Sequence, residues 1–199
     1  TTNAFHGTHG RALPFATGIK AANPDLHVIV IMGDGDGATI GGNHLIHAAR
    51  RNIDLTAVVV NNANYGMTGG QLSATTPHGK KTSTSAFGNP ERAFDLCRLV
   101  SAAGANYVDR GTVYHVNQLD RLIEADVLKK GFSFVEVISP CPTHFGRRNQ
   151  MGDGVAMMNY LKSHGLSLRQ YESLPEEERE TYFPTGKLAE RDEPDYNTQ

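Results

Sequence analysis

Apolar positions fall in short, almost unbroken runs along this chain, and the intervals between the runs carry helical spacing. HVIVIM (27–32), LTAVVV (55–60) and FSFVEVIS (132–139) are rich in β-branched and aromatic side chains and are bounded by polar or turn residues. Such runs mark strands buried on both faces. NYVDRG (106–111) reads as a shorter strand. Helices are predicted over RALPFATGIKAAN (11–23), TIGGNHLIHAARRN (39–52), NPERAFDLCRLVSAAGA (89–105) and VNQLDRLIEADVLKKG (116–131). In the third of these, Asn89 is placed to cap, Pro90 takes the first helical position and Gly104 can end the helix. Strands alternating with helices predict an α/β fold, a parallel sheet with helices on both faces.

Two stretches escape this rhythm. Residues 61–88, NNANYGMTGGQLSATTPHGKKTSTSAFG, are too long and too rich in Gly, Asn, Ser and Thr for a routine connector, and loops of that kind are commonly functional or disordered. After about residue 165 the composition turns polar, so the chain divides into a 1–165 domain and a 166–199 tail expected to wrap a neighbour or stay mobile. EEERE (176–180) reads as a solvated helical turn.

Composition narrows the function classes. With 199 residues and a formal net charge of -2, the chain is long enough for a proper core and lacks the basic stripe of a nucleic-acid binder. Its apolar runs fall well short of the about 20 residues needed to cross a bilayer. Two cysteines, Cys97 and Cys141, cannot make a disulfide framework and suit a reducing, cytoplasmic setting. The start, TTNAFHGTHGRALP, carries no initiator Met and enters Gly-rich sequence at once, from which a missing N-terminal segment is expected.

The chemistry concentrates after the first strand, in GDGDGATIGG (33–42). Bare backbone N–H groups there attract a phosphate, whereas Asp34 and Asp36 repel it, and a metal ion resolves the conflict. Alone, GDGDG also fits a ligand-free strand-to-helix turn, and a dinucleotide fingerprint fits poorly because acids stand where pyrophosphate must approach. Asn61 and Asn62, at the end of the next strand, change the balance. Ligands collect outside the carboxyl ends of parallel strands, and Mg2+ takes hard oxygen donors together with substrate phosphates. Asp34 offers a carboxylate, Asn62 a side-chain carbonyl, and the following turn a backbone carbonyl near Asn64.

GDGD followed by NNANYGMTGGQ resembles the thiamine diphosphate motif. The words FHGTHGRALPFATGIKAANP (5–24) and ISPCPTHFGRR (138–148) resemble the beta subunit of 2-oxoacid:ferredoxin oxidoreductases, nearest the 2-oxoglutarate type. The likeness runs from about Phe5 to about Gly165. It implies a thiamine diphosphate-binding fold, with Asp34, Asn62 and the Asn64 carbonyl as magnesium ligands. It further implies Gly33, Gly35 and Asp36 facing the diphosphate, Gly66 beside the cofactor, and Met67 as the apolar residue that holds thiamine bent. His9 and Arg11 would contact cofactor and substrate. Where some relatives carry Lys, this chain has Gly69, which leaves the substrate carboxylate to other residues.

The same resemblance implies oxidative decarboxylation of a 2-oxoacid to an acyl-CoA, with electrons passing singly through a [4Fe-4S] cluster to ferredoxin. It also implies a partner alpha subunit that supplies the activating glutamate. Cys141, in a Pro-Cys-Pro loop, matches the last cluster ligand, whereas Cys97 is expected in the core. His44 and His47 share a helix face without a third ligand, and Arg147 and Arg148 suit either a carboxylate or coenzyme A phosphate clamp or a solvated pair. A non-oxidative thiamine enzyme, or pyruvate as substrate, stand as the alternatives.

Overall fold

The computed structural model describes residues 3–198. In chain order the elements are α1 (Ala12–Ala22), β1 (Ile29–Gly33), α2 (Gly42–Arg50), β2 (Thr56–Asn61), α3 (Leu96–Ala103), β3 (Tyr107–Thr112), α4 (Val116–Leu128) and β4 (Ser133–Ile138). They continue with α5 (Gly154–His164), β5 (Gly165–Ser167), α6 (Leu168–Glu172), α7 (Glu176–Arg179) and β6 (Phe183–Glu190). Six strands form one sheet in the order β1-β2-β4-β3-β6-β5. All neighbours run parallel except β3 and β6, which pair antiparallel. The expected parallel sheet with helices on both faces is therefore present, extended by one reversed strand.

The two faces carry separate cores. Leu13, Leu45, Ala49, Leu96 and Val100 from α1, α2 and α3 pack on Val30, Val59, Val108 and Phe134 of the sheet. On the other face, Leu119 and Ile123 of α4 close over Val58, Val135 and Val137. Because α4 packs over β2, β3 and β4, the same face of the edge strand β1 is left open. Ile29 and Ile31 are 48% and 74% exposed, so the first apolar run is a half-covered edge strand and not the doubly buried one its composition predicts.

Two further expectations are revised. The helix expected over 39–52 is preceded by a wide π-helical turn, Gly35–Ile40, and begins at Gly42. The helix expected from Asn89 begins only at Leu96, where the Asp95 carboxylate accepts from Arg98 N. Asn89 is committed elsewhere, its amide donating to Thr76 O at 2.7 Å, while Phe94 N donates to Ala74 O and draws the segment into extended contact with the 61–88 loop. Gly104 does end the helix, with a left-handed φ of 108°.

The polar stretch after residue 165 folds back on its own sheet. Strand β6 pairs with β3, and its Leu188 and Ala189 pack against the larger core. Two asparagine amides fasten the residues beyond β6. The Asn52 amide donates to the carbonyls of Glu193 and Pro194 and accepts from Phe132 N, and the Asn106 amide donates to those of Lys130 and Glu193. Gly131 lies between the two amides with φ +88°, and a Cβ there would stand 2.5 Å from each.

Asp109 on β3 and Asp126 on α4 lie against one another, both fully buried. None of their four carboxyl oxygens meets a donor in bonding geometry among the described residues. A proton held between them satisfies the pair, as in other buried carboxyl dyads. Burial first, and for Asp126 the neighbouring carboxylate next, push both upward, Asp126 to about 9. Lys187 and Glu190 of β6 are the charged groups that bear on Asp109. Raised carboxyls contribute stability that is complete below the ordinary value of 3.8 and lost as pH climbs through the folded-state value. Thermal unfolding followed by circular dichroism should show Tm dropping by roughly 7 to 15 °C between pH 6 and pH 9. In Asp126→Asn the amide takes over the bridging donor, and the profile should be flat across that interval.

Candidate functional site

Strand β1 ends at Gly33, and Asp34 follows with its side chain only 1% exposed. Burial raises its carboxyl above the ordinary carboxylate value, opposed by hydrogen bonds from Ser73, Thr75 and the Asn62 N–H. The two hydroxyls share one oxygen: Ser73 Oγ and Thr75 Oγ1 donate to Asp34 Oδ2 at 2.5 and 2.7 Å. Asp34 Oδ1 accepts a long bond from Asn62 N, 3.3 Å. The long loop thus folds back to satisfy an acid at the end of the neighbouring strand.

Beyond β2 the chain turns sharply through Ala63, whose φ of 62° is unusual for a residue with a Cβ. Its N–H donates to Asn61 Oδ1, and its carbonyl accepts from Thr76 Oγ1 at 2.7 Å. The turn sets Asn62 and Asn64 beside Asp34. As oriented, the Asn62 side-chain oxygen stands 2.7 Å from the Asn64 carbonyl oxygen and 3.2 Å from Asp34 Oδ1, three acceptors with no proton between them. Rotating the amide would turn both contacts into hydrogen bonds; a cation would reconcile the oxygens as they stand. Adjacent ligands of an octahedral Mg2+ lie about 2.9 Å apart, given metal–oxygen distances of 2.0–2.1 Å. Among the described residues, buried Asn64 also presents a side-chain oxygen without a partner. The donor set therefore fits a small hard cation.

Glycines shape the surroundings at two points. A Cβ on Gly35 would lie 2.5 Å from the Tyr65 ring, so only glycine lets the ring settle over the turn. A Cβ on Gly66 would crowd Asn62 and Asn64 and come within 3.8 Å of Cys141 Sγ, which places this half-buried thiol against the same loop. Gly33, by contrast, faces open space. Asp36 turns its carboxylate away from the turn. Its Oδ1 lies 2.7 Å from His9 Nδ1 and accepts from Gly10 N, fastening the 6–12 segment over the π-helical turn. Arg11 is exposed and donates to Gly10 O, and Met67 stands 99% exposed at the loop tip.

His44, His47 and Cys97 lie apart from this centre, whereas Arg148 borders the site loop, its Nη1 3.1 Å from where a Cβ on Gly70 would stand. His44 is half-buried and His47 exposed on α2, where His47 Nδ1 accepts a long bond from Arg50. Arg147 and Arg148 are exposed beside a second π-helical turn, Pro142–Gly146, with Arg148 donating to His144 O. Cys97 is 2% exposed, as expected of a core thiol, yet its partners are ionic. It donates to Glu136 Oε2, which Arg110 also engages at 2.6 Å while reaching Asp95. Asp95, Cys97 and Glu136 could together ligate a metal, but the guanidinium already holds that place. Burial pushes the Cys97 thiol well up, which leaves it inert. Ser73, Thr75 and Tyr65 are not legible as site residues from sequence, where the only signal is the density of hydroxyls in SATT (73–76).

A thiamine pyrophosphate enzyme C-terminal, TPP-binding domain matches residues 1–137. The 2-oxoglutarate synthase subunit KorB of Methanocaldococcus jannaschii is 48% identical over 98% of this chain and 72% of its own length. The same subunit of Archaeoglobus fulgidus is 62% identical over 70% of this chain and 52% of its own. Among solved structures, a 2-oxoglutarate:ferredoxin oxidoreductase from Magnetococcus marinus, with 2-oxoglutarate, coenzyme A and succinyl-CoA bound, superposes with a TM-score of 0.81. It is 29% identical, and the match covers 96% of this chain and 65% of that one. The chain belongs to the thiamine pyrophosphate-binding beta subunits of the 2-oxoacid:ferredoxin oxidoreductases.

Proposed function

We propose that this chain holds magnesium and thiamine diphosphate for the CoA-dependent oxidative decarboxylation of a 2-oxoacid, 2-oxoglutarate first, in the cytoplasm. An alpha subunit is its obligatory partner and ferredoxin its electron acceptor. The observation that carries the reading is the meeting of Asp34 Oδ1, the Asn62 side-chain amide and the Asn64 carbonyl oxygen at the carboxyl ends of β1 and β2. With the amide oxygen turned inward, those three groups would hold Mg2+, and the two phosphates of the cofactor would share its shell. Bound there, thiamine diphosphate supplies the nucleophilic carbon and the electron sink that decarboxylation requires.

The chain's own residues bind and position. Gly35 and Gly66 keep the turn and the loop free of side chains, and Gly33 leaves the strand end open to the diphosphate. Asp36, by fixing His9 and Gly10, holds the 6–12 segment over the turn and sets His9 and Arg11 at the rim for cofactor and substrate. Met67, free of this chain's other side chains, is available to support the thiamine. The 2-oxoglutarate and coenzyme A found with the Magnetococcus marinus enzyme, 29% identical, favour the same substrates here. A [4Fe-4S] cluster needs four thiolates, and this sequence has two cysteines, one of them sealed beneath Glu136. These residues do not build a cluster by themselves; Cys141 is one ligand of a cluster completed by thiolates outside this sequence.

Calorimetric titration of the assembled enzyme with thiamine diphosphate should give tight binding only when Mg2+ is present. Asp34→Ala should weaken it at least roughly 100-fold, as loss of a charged ligand in a buried site demands. Binding of equal strength without metal, or in the variant, would remove Asp34 as a ligand. Cys141→Ser, assembled with its partner, should lose its iron by metal analysis while retaining thiamine diphosphate. Full iron content would exclude the thiolate.

A further inference from the structure

We propose that Ser73 and Thr75 act as a hydroxyl clamp that makes Asp34 a one-oxygen ligand and so selects Mg2+ over Ca2+; this rests on the metal site proposed above. A carboxylate oxygen has two lone pairs. Both on Oδ2 are taken, by Ser73 Oγ at 2.5 Å and Thr75 Oγ1 at 2.7 Å. The remaining capacity belongs to Oδ1, which accepts one long bond from Asn62 N and lies 3.2 Å from the Asn62 side-chain amide.

The clamp is itself held. Ser73 Oγ lies 3.0 Å from Thr75 Oγ1 and 3.4 Å from Thr76 Oγ1, and Thr76 Oγ1 accepts from Ser73 N while donating to Ala63 O. Ser73, Thr75 and Thr76 are each no more than 5% exposed. Swinging Asp34 into a two-oxygen grip would strip two buried hydroxyls of their acceptor at a depth where solvent does not replace it. Mg2+ requires six ligands at short, nearly fixed distances and is served by a single carboxylate oxygen; Ca2+ prefers more ligands, longer bonds and often both oxygens of a carboxylate. Asp34 is thereby shaped for the smaller ion. The two hydroxyls are positioning residues, since they act through Asp34 and touch no metal.

The test titrates Mg2+ and Ca2+ separately into the chelator-stripped, assembled enzyme at saturating thiamine diphosphate. The preference of wild type for Mg2+ should fall by roughly tenfold or more in the Ser73→Ala/Thr75→Val double variant, because supporting partners of metal ligands carry effects of that size. The Ser73→Thr/Thr75→Ser variant, which keeps both hydroxyls, should restore the preference. Equal weakening of both ions, or an unchanged ratio, overturns the clamp. Wild type binding neither ion would overturn the metal site along with it; wild type binding Mg2+ with an unmoved ratio in the variants overturns the clamp alone. Where the double variant fails to assemble, infrared difference spectra of wild type carrying 13C-labelled aspartate decide. A one-oxygen carboxylate splitting with Mg2+ is expected, and a two-oxygen splitting overturns the proposal.

Discussion

A carboxylate at the end of β1 is closed off from water, and the molecule must satisfy it without help from its own strand. That requirement draws the loop of residues 61–88 back across the top of the sheet to bring the hydroxyls of Ser73 and Thr75 to Asp34. Once the loop is drawn in, Tyr65 can only settle where Gly35 leaves room, and the Asn62 side chain comes to lie between the second oxygen of the acid and the Asn64 carbonyl. Met67 is left at the loop tip, clear of the core. An uncompensated buried charge is among the most destabilising features a fold can hold, so this loop is ordered by the same acid that would hold the metal.

Glu136 links that end of the sheet to the body of the protein. From β4 it accepts the Asn61 amide at the mouth of the site and, through its other oxygen, both the Arg110 guanidinium and the Cys97 thiol on the α3 side. Arg110 in turn reaches Asp95, the cap of α3. Helix, strand and site loop thus share one buried polar network, whose members gain more together than in isolated pairs. A buried ion pair of this kind contributes specificity of arrangement more than net stability.

Much of this was legible from the chain. The alternation of apolar runs and helical spacing predicted the layers, and GDGDG with the asparagine pair pointed to the strand ends where Asp34, Asn62 and Asn64 lie together. The features that escaped did so for physical reasons. HVIVIM and LTAVVV look alike in composition, yet only the second is covered on both faces, because coverage depends on where α4 lies and not on the strand itself. Asn89 and Pro90 are sound helix-start signals, overridden when Thr76 and Ala74 claimed that segment's hydrogen bonds. The polar stretch after residue 165 has few apolar positions, but β6 needed only two side chains and an unpaired edge of β3 to dock. The hydroxyls around Asp34 have no periodicity for a sequence reading to detect.

The two asparagine amides beneath the opposite end of the sheet tie the carboxy-terminal stretch into the centre of the fold. Asn52 and Asn106 each bridge backbone groups from separate parts of the chain, donating to the carbonyls of Lys130, Glu193 and Pro194. Both side chains are buried, and Asn52 also accepts from Phe132 N at the entry to β4. Lifting residues 193–194 away would leave these amides without acceptors at a depth where water does not replace them. The last residues of the chain are thereby held to the central strands and open with them, not as a fraying end.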